Sequence, residues 1–191
     1  EPGLNVLPPG VERHVVNAGG LTGLQIFPDD EIEIINNEGN QICEIICFDK
    51  DGKSELGILN QKENGKINFI KEILKRKDES SLITNLQLKK RNLDINKSKS
   101  SILFDNKTPS GEKIKIKSKD KCYVIFSAPQ NDMIVSEQNP SSDLTIYIKR
   151  AKIVNDKELS IIPDPIYEPN YEKNIDKETS ISFQVKEGDY I

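Results

Sequence analysis

Histidine is almost absent from this sequence, cysteine is scarce, and no apolar run reaches membrane length. Of the 191 residues one is a histidine, His14, and three are cysteines, Cys43, Cys47 and Cys122. A zinc centre needs three or four converging nitrogen, sulfur or oxygen ligands, so no metal site is expected. His14 stands beside Val15 and Val16 and reads as a strand residue, not a ligand. An odd cysteine count, with no apolar leader near Glu1, gives no disulfide framework and points to a reducing, cytoplasmic compartment. On one strand Cys43 and Cys47 would share a face about 13 Å apart at ~3.3 Å per residue, beyond disulfide reach, which predicts two reduced core thiols. The lack of any stretch of about 18 apolar residues argues against a membrane-spanning helix.

An excess of basic charge is also missing. Lysine and arginine number 27 against 31 acidic residues, for a formal net charge of -4. The isoelectric point is near 5.3, and no nucleic-acid partner is expected. Hydrophobic residues make up 35%, which is low, yet Ile, Leu and Val are spread along the chain as in a globular protein. The length suffices for one domain with a proper core.

What the chain does carry is strand pattern. Leu24, Ile26, Ile32 and Ile34 alternate with polar residues, Asn36–Asn40 supplies turn residues, and Gln41–Phe48 returns as an apolar strand. This predicts two paired strands with Gly39 at positive φ in the turn between them. The second strand is apolar on both faces except for Glu44, set among Ile42, Ile46 and Phe48. A buried carboxylate needs a hydrogen-bond donor or a raised pKa, which makes Glu44 a candidate catalytic acid or base. Gln41 and Asp132 are candidate binding residues beside it. The plainer reading of Glu44 is a structural hydrogen-bonding centre.

Further on, Asp49–Gly52 reads as a turn, since the remaining ligands of a calcium loop are not in place. Ile67, Ile70, Ile73 and Leu74 recur at helical spacing. Leu82, Ile83 and Leu86, after the cap candidates Asp78 and Ser80, suggest a second helix ending near Arg91, and Asp94–Ser100 a short third turn. Lys113–Lys117 alternates, Lys119-Asp120 turns the chain, and Cys122–Ala128 is apolar, which predicts a hairpin. Leu144–Arg150 is a further strand. The expected fold is mainly β (α+β): a small barrel or sandwich of antiparallel strands with a helical insertion over about 65–100. Residues 1–162 form this domain, 163–180 a proline-rich linker, and 181–191 the start of a second repeat, because Leu24–Ile32 aligns without gaps on Phe183–Ile191.

Several stretches carry a resemblance: LPPG at Leu7–Gly10, Gly19-Gly20, EGNQ at Glu38–Gln41 and FDKDG at Phe48–Gly52. To these are added LFDNKTPSGEKIKI at Leu103–Ile116, FSAPQNDM at Phe126–Met133, PSSDLTIYIKRA at Pro140–Ala151 and the terminal VKEGDYI. Together they resemble the N-terminal region of large aminomethyltransferase-like proteins, in which urea-carboxylase-associated domains precede a glycine-cleavage T-protein module. The resemblance implies a non-catalytic N-terminal β domain of a folate-dependent transferase of one-carbon or amine metabolism. Its partners would be downstream domains of the same polypeptide, with an oligomer also open. Tetrahydrofolate is implied for the parent protein and no cofactor for this region, since the folate pocket would lie past Ile191. Urea-carboxylase-associated proteins resemble metal-site proteins with His and Cys in their later strands; one His and three Cys here transfer no such site. The alternative is a small-molecule-binding or enzymatic domain of the urea-carboxylase-associated type.

Overall fold

Strands form wherever apolar residues alternate or run on: β1 (Val11–Val16), β2 (Leu21–Ile26), β3 (Glu31–Asn36), β4 (Cys43–Asp49), β5 (Ser100–Phe104), β6 (Glu112–Lys117), β7 (Cys122–Ser127) and β8 (Leu144–Lys149). This computed structural model describes residues 6–65, 68–130 and 140–152, all within the unit Glu1–Lys157. The inferred linker and second repeat, and Asp132, lie outside the described residues. Two four-stranded antiparallel sheets result, ordered β1-β8-β3-β6 and β2-β7-β4-β5.

The pairing is nested. β1 pairs with β8, β2 with β7, β3 with β6 and β4 with β5, while β3–β8 and β4–β7 contacts complete the sheets. Every connection except the one between β4 and β5 therefore carries the chain from one sheet to the other. This wrapped order is that of an eight-stranded jelly roll, a sandwich-like arrangement; the sheets keep open edges and are not closed into a barrel.

Both expected hairpins are thereby corrected. The stretch from Leu24 to Ile34 is two strands, broken at Phe27–Asp30, where Asp29 takes φ 67° and the Asp30 carboxylate accepts the Phe27 N–H at 2.9 Å. β3 does not pair with β4, nor β6 with β7; the members of each couple sit in different sheets. Gly39 does take positive φ, 80°, but its turn crosses between sheets. A Cβ there would press on the backbone of Thr108 and Ser110 at 2.8 and 2.7 Å, so the turn is packed against the loop before β6.

The insertion between β4 and β5 holds a 3-10 turn (Leu56–Leu59), α1 (Asn68–Leu74), α2 (Glu79–Lys90) and a second 3-10 turn (Ile95–Lys97). Asp78 caps α2 by accepting the Ser81 N–H at 3.0 Å, a bond that lowers its carboxyl pKa. Ile70, Ile73, Leu74 and Leu88 pack on Leu21, Ile46, Phe48, Tyr123 and Ile125, which occupy one face of the β2-β7-β4-β5 sheet. The other face of that sheet carries Leu24, Ile26, Ile45, Cys47 and Val124, each no more than 1% exposed, as are Ile32, Ile34, Ile146 and Ile148 of the partner sheet. β4 is thus covered twice, by helices and by a sheet, and all of Cys43–Phe48 is buried. α2 forms where expected but turns an unexpected face inward: Ser81, Thr84, Gln87 and Leu88 are buried, while Leu82 and Leu86 are exposed. Just ahead of β2, Ser80 Oγ comes within 3.2 Å of the position a Cβ on Gly20 would take. No helix among the described residues is long and apolar enough to cross a membrane.

Candidate functional site

Glu44 lies on the helix-covered face of β4 and is 1% exposed. Its Oε1 accepts the Ile70 N–H at 3.0 Å and its Oε2 the Ser100 hydroxyl at 2.9 Å. Ile70 is in the first turn of α1, where backbone N–H groups have no partner within the helix. A strand carboxylate thus caps a helix that follows it by some two dozen residues, next to a serine of β5. Gly65 completes the enclosure, because a Cβ there would strike Ser100 Oγ and reach within 3.1 Å of Glu44 Oε2. Such a carboxylate is well satisfied and closed to solvent, which suits a structural centre.

Gln41, also 1% exposed, engages a different part of the chain. Its Nε2 donates to Ile42 O and Pro129 O, both at 2.8 Å, and its Oε1 accepts the Ser142 N–H at 2.8 Å. The side chain ties together the ends of the connection from β7 to β8. Glu44 and Gln41 therefore work at separate places, one beneath α1 and one at the β7–β8 loop.

The three cysteines are free and buried, as the strand pattern predicts for Cys43 and Cys47. Burial pushes the Cys43 thiol up to about 12, so it stays protonated near neutral pH and is a poor nucleophile. The Cys47 thiol is raised too, by its hydrogen bond with Cys122 and then by burial. Among the described residues no group of three or more His, Cys, Asp or Glu side chains is placed to hold a metal ion.

A cluster that pattern reading missed closes one end of the space between the sheets. Arg150, its side chain 2% exposed, donates through Nε and Nη2 to the two Glu12 oxygens at 2.8 and 3.0 Å. Through Nη1 it reaches Asp30 Oδ2 at 2.7 Å and Gln25 O at 3.0 Å. His14 Nε2 adds a 2.9 Å contact to Glu12 Oε1, and Ala151 N–H donates to Asp30 Oδ1 at 3.0 Å. Burial alone would raise the Glu12 pKa, but hydrogen bonds from His14 and Arg150 and the guanidinium charge hold it down to about 2. Arg150 is itself raised, its burial outweighed by bonds to Glu12 and Asp30. The guanidinium and both carboxylates are matched within the fold, so the cluster reads as an ionic plug joining β1, the end of β8 and the β2–β3 turn. Arg150 is 138 residues from Glu12 and 120 from Asp30, and only the single His14 could have drawn attention to the cluster.

Depressions among the described residues include a groove and a cleft. A groove of about 620 Å³ runs over the open face of the β1-β8-β3-β6 sheet, lined by Val11, Tyr147, Glu31, Glu33 and lysines of β6. A polar cleft of about 380 Å³ lies beside the Asp49–Gly52 turn and includes Arg91, Tyr123 and Lys121.

No protein-family model matches the chain. Over all 191 residues it is 31% identical to the trimethylamine-oxide aldolase of Ruegeria pomeroyi, and it spans 24% of that protein's length.

Proposed function

We propose that this chain is a non-catalytic jelly-roll module of a longer polypeptide acting in amine metabolism, an aldolase working on a methylated amine oxide as its relative's name describes. The observation that carries the reading is the 31% identity along the entire chain to roughly a quarter of that aldolase. The placement of the buried acids supports it. Glu44 caps α1, and Glu12 and Asp30 hold Arg150. Groups so engaged position the fold more readily than they turn over a substrate.

In this proposal the module is residues 1–162 and lies toward the front of the parent polypeptide, with 163–180 as linker and 181–191 opening a second repeat. The folate-dependent transferase implied by the sequence resemblance would sit elsewhere in the parent. An aldolase releases a carbonyl fragment and tetrahydrofolate accepts one-carbon units, so both chemistries fit one polypeptide. The test compares the full-length parent with the 191-residue chain. Proton NMR of trimethylamine-oxide consumption should show turnover by the parent and none by the chain alone. Turnover by the chain alone, or a parent inactive on methylated amine oxides, overturns the proposal.

A further inference from the structure

We propose that the cleft around Arg91 binds the phosphate or carboxylate group of a small metabolite. Its volume of about 380 Å³ is at the small end of the range for ligand pockets, and Lys50, Arg91, Lys121 and Tyr123 are in its lining. This site lies apart from Glu44 and does not rest on the amine-metabolism reading.

The argument begins with how the guanidinium is held. Arg91 is the C-terminal cap residue of α2, half-buried. Its Nη1 donates to Gln25 Oε1 at 3.0 Å, its Nε to Gln87 Oε1 at 3.3 Å, and its guanidinium carbon lies 4.3 Å from the centre of the Tyr123 ring. Both glutamines are only 6% exposed, and Gln25 is fixed in turn by donating to Cys122 O at 2.9 Å. Gly23 makes room for the supporting ring, since a Cβ there would run into the Tyr123 hydroxyl. Two buried amides and an aromatic face therefore set one arginine in place at the edge of a cleft.

That arrangement leaves one polar atom of Gln87 over. Its Nε2 is buried and has no hydrogen-bond partner among the described residues. Turning the amide over would set Nε2 against the Arg91 donor, so the orientation that holds the arginine is the one that orphans the amide nitrogen. A buried unsatisfied donor is destabilising, so a buried amide whose one bond among the described residues goes to the guanidinium is a feature that calls for an explanation beyond packing.

The charges around the cleft suit a single anionic group. Asp49 and Asp51 also line it, but Asp49 Oδ1 accepts the N–H groups of Asp51 and Lys53, each at 2.9 Å, and so holds the turn. Against these carboxylates stand three cations, one of them a planar fork suited to two oxygens of a carboxylate or phosphate.

The experiment is an NMR titration of the whole 191-residue chain, following the Arg91 Nε–H resonance, with inorganic phosphate in one arm and succinate in the other. Sodium chloride at matched ionic strength is the control. We expect a saturable shift with at least one of the two anions and none with chloride; the arm that saturates identifies the group. Arg91→Lys, read from the Tyr123 ring resonances, should weaken binding about tenfold or more, because the two-point geometry is lost while the charge stays. Lys50→Gln with Lys121→Gln, which leaves the end of α2 untouched, should weaken it by a smaller factor. Arg13→Gln on the other sheet should change nothing. A shift that never saturates, or affinities equal to the parent in both Arg91→Lys and the double lysine variant, overturns the proposal.

Discussion

The two sheets of this jelly roll differ in their strands as in their neighbours, β6 of one reading EKIKIK and β7 of the other CYVIFS. In β4 all of Cys43–Phe48 is buried, because α1 and α2 cover one face of its sheet and the partner sheet the other. In β3 burial alternates, with Ile32 and Ile34 inside, Glu31 exposed and Glu33 partly so. A carboxylate in the doubly covered sheet must find its donors in the protein, and Glu44 has Ile70 N–H and Ser100. On the open sheet Glu33 only approaches Lys115 at 3.9 Å, a pair whose lysine side chain is 80% exposed. On the outward face of a sheet, the third layer decides whether an acidic residue is structural, as Glu44 is, or merely solvated, as Glu31 is.

The sharpest way to test that difference is to break an enclosed charge. Arg150→Ala leaves Asp30, its side chain 2% exposed, without its cation, and a loss of about 3–5 kcal/mol is expected from the denaturant midpoint. Adding Glu12→Gln and Asp30→Asn should recover part of it. If the single and triple variants are equally destabilised, the loss came from packing and not from stranded charge.

A smaller effect is expected under the helices. Glu44→Ala removes the acceptor for Ile70 N–H and Ser100, and about 1–3 kcal/mol should be lost, with faster amide exchange at Ile70. Glu44→Gln keeps one acceptor oxygen and should lose less. Unchanged exchange at Ile70 in Glu44→Ala would remove the capping assignment.

Acid gives a third comparison. Glu12 is held at about 2 against an ordinary 4.5, so its stabilising contribution is complete above about pH 4.5 and fades as the pH falls toward 2. Glu12→Gln should flatten that part of the acid-denaturation curve while leaving neutral stability lower. A wild-type curve with the same slope as the variant between those pH values would contradict the assignment. The smallest effect belongs to the open face, where Lys115→Ala should shift stability by no more than about 0.5 kcal/mol.

Some of this was legible before any coordinates. Period-two alternation located most strands, and the lone acid among Ile42, Ile46 and Phe48 marked Glu44, because alternation reports which face a residue takes. It does not report the partner strand. Asn36–Asn40 has hairpin residues, yet the same turn chemistry serves a crossing between sheets, so both hairpins were misread. For α2 the apolar spacing of Leu82 and Leu86 pointed to the wrong face, since the helix buries Ser81, Thr84, Gln87 and Leu88 instead. The donors that satisfy Glu44 include a backbone N–H, which no side-chain pattern reveals. Glu12 and Arg150, 138 residues apart, meet only once the nested pairing of β1 with β8 is known. The orientation of Arg91 likewise depends on Gln25, 66 positions earlier.

The central claim is that the one acid buried in the doubly covered sheet serves the fold and not the chemistry. Its most direct test is Glu44→Gln in the full-length parent, measuring kcat on trimethylamine oxide together with Tm. The account predicts a lowered Tm with kcat within about twofold of the parent, as for a residue remote from the reacting atoms. A kcat reduced by roughly a hundredfold or more at unchanged Tm, the scale of a lost general acid or base, would contradict it.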